Sequence, residues 1–509
     1  MAILPFLRDK AEYLAYGAAS LYLLRSLWSY LRLRRFKGPL AAGFTNLLHS
    51  RAMISGRCHE WYAEMNAKYG SLARIAPNVL ITDSPEVWAH VNKGPGYQRS
   101  AWFYSTLRIE HRRDNVFSMT DNELHDKRRL QMSPGYSGRE NLALESSIDD
   151  CVQNLLSLIR SKYLSTAGQT KPIDLARKIQ FFTLDVISMV GLGKVFGMLT
   201  ADSDVDDYLK SSEEGLKANR IFMALGIGWI AQSPIIGRLL MPSPGDGSGT
   251  GKMMETCFRF VNERAANPTD KRSDMLASFI RNGLQGDELR SEALEQIIAG
   301  SDTTAGAIRG TLLYIITNPR VYQILQREID QAVLDGKAPP AGAGLVSFTQ
   351  TKQLRYLQAV IREGMRIWTP VPSIFSRDVP SGGDVLNVDG EDIFVPGGTC
   401  IGYSGVGMHR RRDVYGDDSD VFRPERWFEQ DEAKLERMMQ TSDLTFGYGR
   451  FKCLGKPVAQ IEIGKIIFEL LRNFDIALVD PLAPWKTDCV NGLFLISDMW
   501  VQITSRTTT

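Results

Sequence analysis

The sequence predicts a mainly α protein with a minor β region, built as one large domain behind an N-terminal helical segment. Three observations carry that prediction. Apolar residues recur at helix spacing over long stretches, and strand-like runs are few and clustered. No long linker, low-complexity block or fixed-period repeat divides the 509 residues. Hydrophobic residues at 44% and charged residues at 23% are globular averages, which excludes a disordered, collagen-like or multi-span membrane chain. Lys+Arg 60 against Asp+Glu 58 gives a net charge of +2, so a nucleic-acid partner finds no electrostatic support.

The elements follow in chain order. Residues 13–31 are mostly Leu, Ala, Tyr and Trp, with Arg25 the only charge. As a helix they reach about 28 Å, close to the hydrocarbon thickness of a bilayer. Arg32, Arg34, Arg35 and Lys37 follow as a basic stop, and no cleavage site stands out. Residues 1–37 are therefore expected to be a retained membrane anchor with the remaining chain on the cytosolic side. The alternative is an amphipathic helix lying on a membrane or on the protein body. Residues 74–82 read as one strand, and 241–251 as a surface loop between helices. Leu294, Ile297, Ile298, Ala305, Ile308, Leu312 and Ile315 mark a long helix that Asn318 and Pro319 stop. Another helix runs over residues 352–368, and 385–403 carries short strands between Asp-Gly and Pro-Gly-Gly turns.

Two places carry chemistry. In the middle of the long helix, residues 299–304 form a polar patch where core residues are expected. Thr303 can turn its hydroxyl back to the Ala299 carbonyl, and Gly300 lets something bulky approach the backbone. A locally opened helix with Asp302 and Thr303 facing inward is a proton-delivery device; the plainer reading is an Asp302 that faces solvent or caps a backbone group. Six cysteines (Cys58, Cys151, Cys257, Cys400, Cys453, Cys489) include no CxxC pair, which argues against a disulfide framework and a structural zinc site. Cys453 lies among Gly447, Gly449 and Gly455, beside Arg450 and Lys452 and just before a helix start. Those surroundings are expected to favour its thiolate. Such a cysteine could be a nucleophile, a redox sensor or, as the glycine-rich loop suits best, a metal ligand beside a flat surface.

These residues resemble the cytochrome P-450 family of haem-thiolate monooxygenases, over essentially everything after the anchor. Phe446, Gly449, Cys453 and Gly455 match the haem-binding loop FxxGxxxCxG. Residues 299–304 match the oxygen-activation signature, Glu363 and Arg366 the ExxR pair, and Arg426 the arginine that completes that structural triad. Two departures stand out. His125 and Arg129 occupy the spacing where the family often has tryptophan and arginine near a haem propionate. Phe451 stands where the loop usually has arginine, with Arg450 displaced by one, so Arg129 and Arg377 become the better propionate partners.

The resemblance implies a haem-thiolate monooxygenase-type domain over residues 38–509, with haem b held by the Cys453 thiolate and proton management by Asp302 and Thr303. It implies electrons from NADPH through a separate reductase, a b-type cytochrome as a further partner, and an endoplasmic reticulum membrane location. The chain itself carries no dinucleotide fingerprint. Segments similar to the family's substrate contacts, residues 371–375 and 492–495 with Phe222, Met223 and Trp229 in the roof, are apolar. A lipophilic terpenoid, polyketide or alkaloid intermediate fits, and the chain looks most like filamentous-fungal microsomal members of secondary-metabolite pathways. A haem-thiolate isomerase, dehydratase or synthase is the alternative, separated by whether product depends on NADPH and reductase. A non-catalytic haem-binding membrane protein is the other, opposed by the intact ligand and proton-delivery motifs.

Overall fold

The computed structural model describes residues 3–267 and 272–506. Residues 1–2 of the expected anchor and 507–509 of the expected catalytic domain lie outside it. Its axis is the helix Gly286–Ile316, 31 residues and about 46 Å long. Asp287 and Glu288 in its first turn complement the helix dipole. Pro319 opens the next helix, where its missing N–H costs nothing. The central helix packs mainly against Leu175–Leu192. That helix is capped by Asp174 at its start and by Gly193 in the left-handed region (φ 73°) at its end.

The β content is segregated, as the sequence predicts. One five-stranded sheet has the order Leu72–Ala76, Val79–Thr82, Cys400–Ser404, Ser373–Asp378, Gln98–Arg99. Residues 385–403 supply a hairpin (Asp384–Val388 with Glu391–Val395) and one sheet strand. The single strand expected over 74–82 is instead an antiparallel hairpin, because the chain reverses between Ala76 and Val79. The helix expected over 352–368 runs Arg355–Ile367. Lys352 belongs to a separate short helix, Phe348–Gln353, with a Ser347/Gln350 capping box, and Leu354 is extended between the two.

The N-terminal helix Ile3–Arg32 is present, yet among the described residues no helix is long and apolar enough to cross a membrane. Tyr13, Tyr16, Tyr22, Ser20, Ser26 and Arg25 dilute its leucines. The spanning anchor is thereby corrected to a helix whose last turns dock on the body. The Ser29 hydroxyl donates to the Pro77 carbonyl (2.7 Å), Arg32 donates to Asn78 (2.6 Å), and Tyr30 stacks on Phe44 at 4.7 Å. Leu21, Leu23, Leu24 and Trp28 remain exposed.

A buried ionic network fixes the body. Arg366 donates twice to Glu363 (2.9 and 2.8 Å) and also to the carbonyls of His409, Ser419 and Val421. Arg426 Nε donates to Glu363 at 2.8 Å, and the Arg423 amide and Trp427 indole fill the remaining lone pairs. Glycines bring the helix bearing Glu363 against the central one. A Cβ on Gly310 would meet Trp368 at 2.4 Å, and one on Gly364 would meet Thr311 at 2.3 Å. Farther along, Glu292 accepts from the Val116 amide and Arg128, and Glu295 accepts from Asn115 at 3.0 Å. These carboxylates tie residues 115–118 to the central helix. Burial raises the Glu295 pKa to about 8, with the neighbouring Glu292 adding to it.

Two outcomes follow. Glu363→Ala leaves Arg366 buried without its carboxylate and Arg426 with only Asp418 at 3.3 Å, and lowers stability by about 3–5 kcal/mol, read as earlier unfolding in urea. Glu295 binds its proton more tightly in the folded state than in the unfolded one. Its stabilising contribution is complete below about pH 4.5 and is lost as pH rises through about 8. Glu295→Gln removes that loss, so the variant's urea midpoint falls less than the wild type's between about pH 5 and 9; parallel curves would contradict the assignment.

Candidate functional site

The cysteine loop is set by two glycines in the left-handed region. Gly447 has φ 71° and Gly449 φ 57°. A Cβ on Gly449 would lie 2.6 Å from the Asn92 carbonyl oxygen. The Cys453 amide donates to the Phe446 carbonyl at 2.7 Å, which folds the loop back on itself. Gly455 has ordinary dihedrals, and a Cβ there would meet only the Cys453 sulphur, at 3.8 Å.

Cys453 is the one accessible cysteine of the six. Burial nevertheless raises its thiol pKa, against lowering by the Gly455 and Lys456 amides and the Arg129 charge. The expectation that loop and helix start favour the thiolate is therefore corrected: desolvation outweighs them, and deprotonation is left to a bound metal.

Between its two long buried stretches the central helix opens onto accessible space. Residues 291–297 and 304–313 are all buried, whereas Ala299 is exposed and Ile298, Gly300, Asp302 and Thr303 are half-buried. The helix is unbroken there, so the expected local opening does not occur. Thr303 Oγ1 donates to the Ala299 carbonyl at 2.9 Å. Gly300 does not clear room for a ligand; a Cβ on it would meet Ile187 of the adjacent helix at 2.7 Å. Asp302 turns away from Thr303 and accepts from Gln180 Nε2 at 2.7 Å. The line continues outward, since Arg177 donates to Gln180 (3.1 Å) and to Glu213 (2.9 Å). Burial raises the Asp302 pKa, opposed by the Arg309 charge and the Gln180 hydrogen bond. Gln180, Arg177 and Glu213 carry no motif and were not legible in the sequence.

A patch of positive charge gathers beside the cysteine loop. Arg377 is buried, donating to Asn92 (3.1 Å) and to the Tyr104 hydroxyl (2.6 Å), and its guanidinium lies 4.2 Å from the Phe451 ring centre. Arg99, which sequence reasoning missed, is buried 4.9 Å from the same ring. Arg129 is half-buried on the helix Asn122–Tyr136 and acts electrostatically on Cys453. Among the described residues no carboxylate forms a salt bridge with Arg99, Arg129 or Arg377. Arg450 is placed otherwise, paired with Asp126 at 2.9 Å near the surface. His125 is buried with Nδ1 on Asp126 (3.0 Å) and Nε2 without a partner. Burial, then the Arg99 charge, lowers its pKa to about 4. With Nδ1 engaged, donation through Nε2 requires the protonated ring, which a nearby anion would favour.

Buried cations without acid partners call for an anion, and Arg99 Nε and His125 Nε2 are buried polar atoms without partners. A haem fits this chemistry: its propionates answer the cations and its iron takes the Cys453 sulphur. Phe446, Gly449 and Gly455 shape the loop that would hold it.

Comparison with known proteins agrees. A Cytochrome P450 family model matches residues 38–499. The cytochrome P450 monooxygenase ABA1 of Pyricularia oryzae is 41% identical over 498 residues, covering 96% of this chain and 96% of that protein. The monooxygenase aba1 of Botryotinia fuckeliana is 36% identical over 479 residues, 93% of this chain and 92% of that protein. The monooxygenase abl1 of Leptosphaeria maculans is 32% identical over 479 residues, 91% and 82% respectively. A thiol set in a glycine loop, cations that await an anion and this end-to-end similarity leave one conclusion: the chain belongs to the cytochrome P450 family and is a monooxygenase resembling its fungal members.

Proposed function

We propose that the protein inserts one oxygen atom from O2 into a lipophilic small molecule of fungal secondary metabolism, with residues 38–509 as the catalytic domain. Electrons come from NADPH through a separate reductase, with a b-type cytochrome as a further donor. The observation that carries this reading is the unbalanced cation patch adjoining the one accessible cysteine. When bound, haem supplies the activation of dioxygen and the oxidising power for the insertion. Cys453 Sγ holds its iron, and the amides of Gly455 and Lys456 with the Arg129 charge stabilise the sulphur's negative charge. Arg99, Arg129 and Arg377 hold the propionates, with His125 beside them.

Thr303 and Asp302 are the catalytic pair. The Thr303 hydroxyl stands on the accessible window of the central helix and holds a proton at Oγ1, which is passed inward through water. Asp302 takes up a proton at its carboxylate, whose proton affinity burial raises, and returns it through water to Thr303 Oγ1. Gln180, Arg177 and Glu213 link that carboxylate toward the half-exposed side.

An apolar substrate suits the rings beside the patch: Phe375 lies 5.7 Å from both Phe103 and Phe117. The hairpin bearing residues 492–495 is held to the helix Tyr208–Ala224 by Arg220 on Asp488 (2.5 Å) and Asn491 on the Leu216 carbonyl (3.2 Å). Met223 is buried, whereas Trp229 is 69% exposed and points outward. Trp229, Leu225 and Leu239, with Leu47 and the exposed leucines of the N-terminal helix, suit an endoplasmic reticulum membrane face that the protein lies on rather than crosses.

Cys453→Ser abolishes oxidation and the strongly red-shifted carbon-monoxide difference band of reduced membranes. A histidine-type band from the intact wild-type chain would sink the haem-thiolate reading. Thr303→Ala lowers product per NADPH consumed by roughly 10- to 100-fold while that band persists; unchanged coupling would remove Thr303 from proton delivery.

A further inference from the structure

Arg99 and Arg377 are register partners in adjacent antiparallel strands. Directly opposed side chains on one face approach within about 5 Å, and like charges there repel. Both guanidiniums are buried, and neither has a carboxylate partner among the described residues. The Arg99 pKa is lowered to about 10, by burial first and then by Arg377 and Arg129, so it stays charged at neutral pH. Two rings face both cations: Tyr104, 5.0 Å from Arg99 and 5.5 Å from Arg377, and Phe451, which alone of the two belongs to the cysteine loop. The Phe451 ring centre is 4.2 Å from Arg377 and 4.9 Å from Arg99, and the His125 ring is 5.2 Å away. A desolvated ring face attracts guanidinium and needs no countercharge of its own.

We propose that Phe451 is a positioning residue that holds Arg99 and Arg377 together for the propionates, with Arg99 supplying the cation that the cysteine loop lacks. The inference rests on the haem reading above and deepens it. An arginine at 451 would bring a further cation against two that are already opposed. A phenylalanine lets the strand arginines approach the loop and itself occupies none of their N–H donors. Arg99 also donates to the Val116 and Met119 carbonyls, so the same guanidinium steadies the segment that Glu292 and Glu295 tie to the central helix. Its unpartnered Nε is left for an anion.

The test uses the full-length haem-loaded protein, following haem transfer to excess apomyoglobin and the haem reduction potential. Phe451→Leu loses haem about tenfold faster, as expected for one desolvated cation–ring contact, and its potential falls as the cations loosen. Phe451→Tyr keeps a ring face and restores both readouts. Arg99→Met matches Phe451→Leu, and the double variant is no worse than either. Phe451→Arg, which puts back the usual loop cation, also loses haem faster than wild type. Wild-type haem loss in Phe451→Leu, tighter retention in Phe451→Arg, or fully additive losses would each overturn the inference. Should the leucine variant not fold, Arg99→Met decides alone: unchanged haem loss overturns it. A wild-type chain that shows no thiolate-ligated haem overturns the haem reading itself, and that is read before any variant is made.

Discussion

Glu363 carries one negative charge and no contact with water, and two guanidiniums depend on it. That carboxylate and its arginines join the helix Arg355–Ile367 to the carbonyls of His409, Tyr415, Ser419 and Val421. The chain from there leads into the cysteine loop. The same helix is pressed on the central one at Gly310 and Gly364, where no side chain larger than hydrogen fits. The two parts proposed to carry chemistry, the loop of Cys453 and the window at Thr303, are thus both referenced to one buried ionic network. Its members accept the desolvation of three charges because nearly every lone pair and N–H is matched.

Elsewhere the molecule leaves charge unmatched, and the contrast locates function. Arg366 and Arg426 meet a carboxylate; among the described residues Arg99, Arg129 and Arg377 form no salt bridge with one. A fold that completes one buried network and leaves the other open has reserved the second for a group it does not encode. On the central helix, Asp302 is held by a neutral amide with a cation beyond it. Burial favours its proton, and the Arg309 charge and the Gln180 hydrogen bond oppose that. Such intermediate surroundings suit the proton-relay role proposed for it.

Much of this was legible in the sequence, where local pattern governs. The long helix, its stop at Pro319, the clustered strands, the glycine loop and the polar patch are all set by residues close in the chain. Two readings fell to longer-range terms and a third to composition. Gly300 faces Ile187 because the helices cross there, which no local pattern encodes. The Cys453 thiol is raised because desolvation, invisible in a sequence, exceeds the effect of nearby amides and cations. The N-terminal helix is long enough for a bilayer, but its tyrosines and serines, legible all along, make it too polar to span one.

Phe451 shows why a motif departure cannot be judged at its own position. Read along the loop, it is a missing arginine, and the nearest candidate to replace it is Arg450, which instead pairs with Asp126. Read across the sheet, it is the ring against which two register-paired arginines rest. Arg99 lies over 350 residues away in sequence, in a strand of only two residues with no pattern to mark it. What the family pattern places in one loop side chain, this chain divides between an aromatic surface and a distant cation. The compensation works only because the sheet brings Arg99 and Arg377 to one face and the Gly449 turn presses the loop against the backbone at Asn92. Loop glycine, strand register and aromatic ring therefore constrain one another, and none of the three is free to vary alone.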